Sequence, residues 1–236
     1  MRFTLKVMSA TDTHTLTHPH TQTPAHYHPS IDTFLLTTPR ARLRCWSAAD
    51  LPLARLLWGN ADVMRLMSVR GPMTEDEIQQ RLNREIMNQQ TRGYQYWPAF
   101  TLDTGAFLGC CGFKPLNSPS FPGHRTAEET TGTPGVPPGT GSAGAPPGLL
   151  LEFGVHLLPA YWNKGYATEL GRAAIDHAFR GRGRGRALPI HTLFAGHHPL
   201  NHASSRMLEK LGFRPSHAEH FPTTGLMHPW LRLDRE

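Results

Sequence analysis

A chain of 236 residues with 24 Lys and Arg against 18 Asp and Glu, a formal charge of +6, can hold one sizeable core and favours anionic partners. No stretch approaches the roughly 18 consecutive apolar residues of a membrane span, which excludes a spanning helix. Three cysteines, an odd number with no CxxC pair, exclude a disulfide framework and fit a reducing cytoplasm.

Residues 1–34 are rich in Thr and His, with Pro19, Pro24 and Pro29, and read as a disordered tail, although the first eight have the composition of a strand. The run HPHTQTPAHYH offers imidazoles without a fixed ligand spacing, so no metal is assigned. Only Arg2 and Lys6 are basic before Arg40, and no apolar core of signal-peptide length is present, so no targeting segment is expected. The domain proper is expected over residues 35–236.

Ser47 followed by Asp50 opens an amphipathic stretch through Leu53, Leu56 and Leu57, and Thr74 with Glu77 forms a capping box for a helix through Ile78, Leu82 and Ile86. Residues 94–102 and 107–113 read as strands joined by a hairpin turn at 103–105. Pro98 lacks an N–H, which predicts an edge position or a bulge for the first of these strands. Of the 32 residues 117–148, 14 are Gly or Pro, with almost no aliphatic pattern. Such a segment buries too little to offset its ordering entropy and is expected to be a mobile insertion between two strands.

Residues 149–157 form the next strand, which passes through a short turn bearing Gly165 into a helix. Tyr166, Leu170, Ala174 and Ala178 recur at intervals of four in that helix and form a small-residue stripe suited to a sheet. Arg180, Arg182, Arg184 and Arg186 follow, alternating with glycine and free of aromatic residues, so base stacking by nucleic acid is not expected. Strands over 188–195 and 226–233 flank NHASSRMLEKLGF, residues 201–213, a helix capped by Asn201 and stopped at Gly212. Cys45, Cys110 and Cys111 fall in strand-like contexts and read as buried packing thiols, because nothing nearby would lower a thiol pKa. The order β, α, α, β, β, β, α, β, α, β describes a three-layer α/β fold with a mixed sheet.

The turn at Gly165 carries the chemistry. Four N–H groups at a helix start lack intrahelical acceptors, and the macrodipole adds about half a positive charge there. Gly165 has no Cβ to hold a ligand away from the backbone, Ala167 keeps the wall small, and Lys164 adds a cation, so the turn is a candidate phosphate site. A strand–helix unit with an incidental glycine is the alternative. The chain has no GxxxxGK[ST], and no GxGxxG follows a strand, so P-loop and dinucleotide readings fail.

EFGVHLLPAYWNKGYATEL (residues 152–170) together with NHASSRMLEKLGF resembles the GNAT superfamily of acyl-CoA-dependent N-acyltransferases, most closely the branch of ribosomal-protein alanine N-acetyltransferases. TPRARLRCWSAADL (38–51) is similar to that branch's first strand and helix, and TGAFLGCCGFKPL (104–116) to its third strand. The resemblance covers residues 35–116 and 149–233. It implies a GNAT-like sheet splayed at its centre, acetyl-CoA as cosubstrate without a metal, and a primary amine as acceptor, a protein N-terminus or a small molecule.

By the same resemblance, Lys164, Gly165, Tyr166, Ala167 and Thr168 hold the pyrophosphate, and Val155 N–H bonds the thioester oxygen. Leu157 would bond the pantetheine amides, and Asn201 pantetheine or the opposing strand. Glu152 is implied as general base, through a water, with a structural ion pair to a nearby Arg as the alternative. Ser204 is the candidate acid or thiol-orienting group, or else an ordinary helix serine. Two positions depart from the family pattern: Trp162 stands where a Gln or Arg is usual, and Leu208 replaces the tyrosine that serves some relatives as acid. His156, His197 and His198 are expected to titrate near neutrality and are left without a role. A GNAT-like module that binds acyl-CoA or a peptide without turnover is the alternative function.

Overall fold

A computed structural model describes residues 34–116, 150–181, 188, 190–222 and 224–236. The tail, the 117–148 insertion and the arginine–glycine run after Gly181 lie outside the described residues. Among the described residues one mixed sheet contains eight strands: β1 (Phe34–Thr37), β2 (Ala41–Arg44), β3 (Tyr96–Thr101), β4 (Phe107–Pro115), β5 (Leu151–Leu157), β6 (Thr192–Gly196), β7 (Arg214–Phe221) and β8 (Leu226–Asp234). Their spatial order is β1-β2-β3-β4-β5-β6-β8-β7, and β5 with β6 is the parallel pair. No helix among the described residues is long and apolar enough to cross a membrane.

Helices cover both faces. On one, α1 (Leu51–Trp58), α2 (Ala61–Met64) and α3 (Glu75–Arg92) pack Trp58, Met64, Ile78 and Leu82 around Trp46, Tyr96 and Cys110. On the other, α4 (Tyr166–Arg180) and α5 (His202–Lys210) set Leu170, Ala174, Ala178 and Leu208 against Trp97, Phe113 and Phe153. The expected three-layer arrangement is present. The expected capping box of Thr74 with Glu77 forms, and Ser47 with Asp50 makes a second one.

Several expectations are corrected. Three helices, not two, precede β3, because Asn60 caps a short turn of helix by accepting from the N–H groups of Asp62 and Val63. The stretch 38–51 supplies the second strand, after β1, and 104–116 the fourth. Of the two settings expected for Pro98, the edge is not found, because β3 is an interior strand, and the bulge is. Pro98 is tolerated there because the ladder to β2 stops at Leu43↔Ala99, and the register to β4 slips between Ala99 and Phe100. β6 begins at Thr192, four residues later than expected. β7 is an edge strand of mostly exposed polar residues, RPSHAEHF, so it has no apolar alternation to reveal it.

Cys110 and Cys111 are buried in β4, where desolvation pushes both thiols upward, and Cys45 lies just past the end of β2. None of the three is set up as a nucleophile.

Candidate active site

β5 lies against β4 over its whole length, from Gly109↔Leu157 to Pro115↔Leu151, but pairs with β6 only at Leu151↔Leu193 and Glu152↔Phe194. Beyond Glu152 the two parallel strands part, and a fork opens toward their C-terminal ends. Leu116 N–H donates to Leu150 (3.0 Å) and Leu158 N–H to Leu108 (2.9 Å), which fixes the parity of the β4–β5 ladder. Leu150, Glu152, Gly154, His156 and Leu158 therefore spend their main-chain groups on β4, whereas Val155 and Leu157 turn theirs into the fork. Trp162 Nε1 donates to the Leu157 carbonyl (2.7 Å), which leaves the N–H of Leu157 as the donor turned to a ligand. The tryptophan thereby holds the end of the strand.

Chain direction brings the two sequence motifs to one end of the sheet. α4 follows β5 and α5 follows β6, so both helix N-termini open at the C-terminal side of the fork. The helices touch where Gly171 of α4 meets Leu211, and a Cβ at Gly171 would lie 2.7 Å from that side chain. Asn201 caps α5 by accepting from Ser204 N–H (3.1 Å), so its side-chain oxygen is committed to the helix. Leu208 is core, with no polar atom to offer.

The turn before α4 is wound by two left-handed residues, Asn163 (φ 57°) and Gly165 (φ 82°). Gly165 is the N-cap and no side chain caps the helix, so the N–H groups that open its first turn, at Tyr166, Ala167 and Thr168, are left to a ligand or solvent. Lys164 is exposed, its ammonium 5.8 Å from the Tyr161 ring centroid.

Three residues missed in the sequence secure this turn. Arg40, at the β1–β2 corner, donates from Nη1 to the Lys164 carbonyl (3.0 Å) and from Nε to Glu169 Oε2 (2.7 Å), and stacks on Tyr166 at 4.5 Å. Thr38 Oγ1 donates to Glu169 Oε1 (2.7 Å). Burial opposes charge on Glu169, but the hydrogen bonds from Thr38 and Arg40 prevail and hold its carboxyl below the usual range. Arg40→Met is expected to loosen the turn and to weaken an anion bound at it by about tenfold, the effect of losing one charge-assisted bond there, as read by calorimetry with a diphosphate.

Side chains alternate along β5. Leu151, Phe153 and Leu157 enter the core beneath α4, whereas Glu152, Gly154 and His156 point to the face carrying α1 to α3. Glu152 makes an ion pair with Lys114 of β4 (3.0 Å), not with an arginine, and stays partly accessible. Ser204 sits on the helix of the opposite face. Glu152 and Ser204 thus flank the fork from its two sides instead of sharing one.

His156 does not titrate near neutrality. Burial, reinforced by the charges of Arg81 and Lys114, pushes its pKa down to about 3. Trp58 Nε1 donates to His156 Nδ1 (3.3 Å), so the neutral ring carries its proton on Nε2. His198 instead meets His228 edge to face at 5.2 Å, beyond the end of β6.

This architecture has relatives. The family described as acetyltransferase (GNAT) domain matches residues 40–214. YkkB of Bacillus subtilis (strain 168), an uncharacterized protein, is 30% identical over 182 residues, which cover 77% of this chain and 86% of that protein. A GNAT-family acetyltransferase from Bacillus anthracis superposes with a TM-score of 0.60 at 19% identity, covering 85% of this chain and 98% of that one. RimL, a ribosomal L7/L12 alpha-N-protein acetyltransferase in complex with coenzyme A, gives 0.57 at 13% identity, covering 85% and 97%. These two structures share the fold. The family match spans the forked strands, the left-handed turn and both following helices, and the chain belongs to the GNAT acetyltransferase family.

Proposed function

We propose that this acetyltransferase moves the acetyl group of acetyl-CoA to a primary amine, a peptide N-terminus or a small molecule, by direct attack with Glu152 as general base. The observation that carries the reading is the fork. It offers the N–H groups of Val155 and Leu157 along one strand edge and ends at a helix start with no side-chain cap. An extended chain with amides, followed by a diphosphate, matches that donor set.

The cosubstrate supplies an acyl carbon activated by a thiolate leaving group. The chain does the rest. Lys164 and the N–H groups of Gly165, Tyr166, Ala167 and Thr168 bind the diphosphate, and Arg40 with Glu169 keeps the turn in shape. Val155 N–H polarises the acyl oxygen, and Leu157 N–H and Asn201 orient the pantetheine arm. Glu152, reached from the α1–α3 face, takes the proton of the attacking amine. Ser204, on the α4–α5 side, donates to the departing sulfur.

The three free cysteines suit the cytoplasm in which we set this activity. RimL and aminoglycoside acetyltransferase AAC(6')-Ib, by their descriptions, act on a protein N-terminus and an aminoglycoside, and both amine classes belong in the acceptor panel. Calorimetry with coenzyme A tests the reading: saturable heat, reduced in a Gly165→Val variant, is the expected result, and no heat from the folded protein overturns it.

A further inference from the structure

We propose that the hydroxyl of Tyr96 is a catalytic group that carries the acceptor's proton to Glu152. This rests on the reading of Glu152 as base and goes beyond it by naming the link between carboxylate and amine.

The geometry comes from sheet register. Tyr96 of β3 lies opposite Gly112 of β4, and Gly112 lies opposite Gly154 of β5. With two glycines in this row, the tyrosine side chain reaches across β4. A Cβ at Gly154 would lie only 2.6 Å from the Tyr96 hydroxyl oxygen and 3.0 Å from its Cζ. The hydroxyl therefore rests directly on the strand that borders the fork, between the side chains of Glu152 and His156. Two residues along a strand span about 7 Å, so Glu152 and Gly154 are neighbours on one face.

Tyr96 is clamped in this pose. Its N–H donates to Glu85 Oε2 (2.9 Å), and its carbonyl accepts from Trp46 Nε1 (2.6 Å). The guanidinium of Arg81 lies 5.3 Å from the centroid of its ring, and His156 packs edge-on at 5.4 Å. Every polar group of the residue has a partner among the described residues except the hydroxyl. Burial first, and then the charge of Glu152, raise its pKa well above the usual phenol value, so it stays protonated. A protonated phenol offers a lone pair to an amine N–H and a proton to a carboxylate, the two contacts a relay needs.

In the step proposed, the amine nitrogen bonds the acetyl carbon and the carbon–sulfur bond breaks. The nitrogen's proton passes to the Tyr96 oxygen while the Tyr96 proton passes to a Glu152 oxygen, through one water where the gap requires it. The sulfur leaves with the bonding pair and takes a proton from Ser204, which recovers one from solvent, and Glu152 returns its proton to solvent. No net charge or proton is left on Tyr96.

The test compares Tyr96→Phe, Glu152→Gln and the double variant. Turnover is measured by thiol release with the best amine from a panel of N-terminal peptides, polyamines and aminoglycosides, and coenzyme A affinity by calorimetry. Tyr96→Phe should lower kcat by at least about tenfold with coenzyme A affinity within about twofold of wild type. The double variant should be no slower than Glu152→Gln alone, because both residues serve one transfer. Gly154→Ala, which pushes the hydroxyl aside but leaves it intact, should also lower kcat, and it decides the matter if Tyr96→Phe folds poorly. Wild-type turnover in Tyr96→Phe, or losses that multiply in the double variant, overturns the relay and leaves Glu152 as base. Wild-type turnover in Glu152→Gln removes the base, and the relay with it.

Discussion

Glu152→Gln should bind coenzyme A as wild type does and turn over about 10² to 10⁴ times more slowly, the range that positioned proton transfer contributes. Glutamine keeps the shape and the β5 pairing but cannot take a proton. The change falls at the root of the fork, where Glu152↔Phe194 is the last β5–β6 pair, so the main-chain donors of Val155 and Leu157 are untouched. Stability should hardly move. Lys114 is 42% exposed, and a partner of that exposure gains little from an ion pair in water. Steady-state kinetics beside calorimetry separates the outcomes. A fall in kcat with retained heat supports the base, and an unchanged kcat assigns Glu152 to the ion pair with Lys114 alone.

Asp50→Ala should cost about 3–5 kcal/mol of stability, the penalty for leaving a buried charge without its partner. Arg44 and Asp50 are each 6% exposed and face one another through two bonds of 2.7 Å, Nη1 to Oδ2 and Nη2 to Oδ1. Asp50 Oδ2 also accepts from the N–H (2.8 Å) and hydroxyl (2.9 Å) of Ser47, which turns the chain from β2 into α1. Losing it frees the start of the helix whose Trp58 holds His156. Thermal unfolding should shift down by on the order of 10 °C, at about 2–4 °C per kcal/mol for a domain of this size. The double replacement Arg44→Met with Asp50→Leu should recover much of the loss, since an apolar pair carries no unpaired charge.

The same pair sets an acid limit. Burial works against the Asp50 carboxylate, but the hydrogen bond and charge of Arg44, with Ser47, outweigh it, so the folded pKa lies below the unfolded value. The unfolded state then takes up the proton first as pH falls. The contribution is complete above the unfolded aspartate value near about 4 and is lost as pH drops through the lower folded value. Denaturant midpoints measured from pH 7 down to pH 3 should fall less steeply in Asp50→Ala than in wild type.

The apolar run of β4, buried on both faces, and the four-residue stripe of α4 were legible because burial leaves its mark on the sequence of each element. Strands β1 and β2 escaped as separate elements because four residues each give little alternation to read, and β7 because an exposed edge imposes no pattern. Within the candidate site, the turn at Gly165 could be found from its neighbours, whereas Arg40 could not, since its partner Glu169 lies 129 residues away.

The linear chain was sufficient wherever a group is satisfied within about four residues. Ser47 with Asp50, Thr74 with Glu77, Asn201 with Ser204 and the glycine before α4 are all of this kind, and the last two located the helix starts that face the fork. The side of the sheet that each reacting group occupies was settled by folding. Glu152 and Ser204 flank opposite sides, His156 loses its titration near neutrality, and Tyr96 rests on Gly154. Each of these follows from strand register and long-range burial, in which one residue of slip would turn every side chain of β5 to the other face.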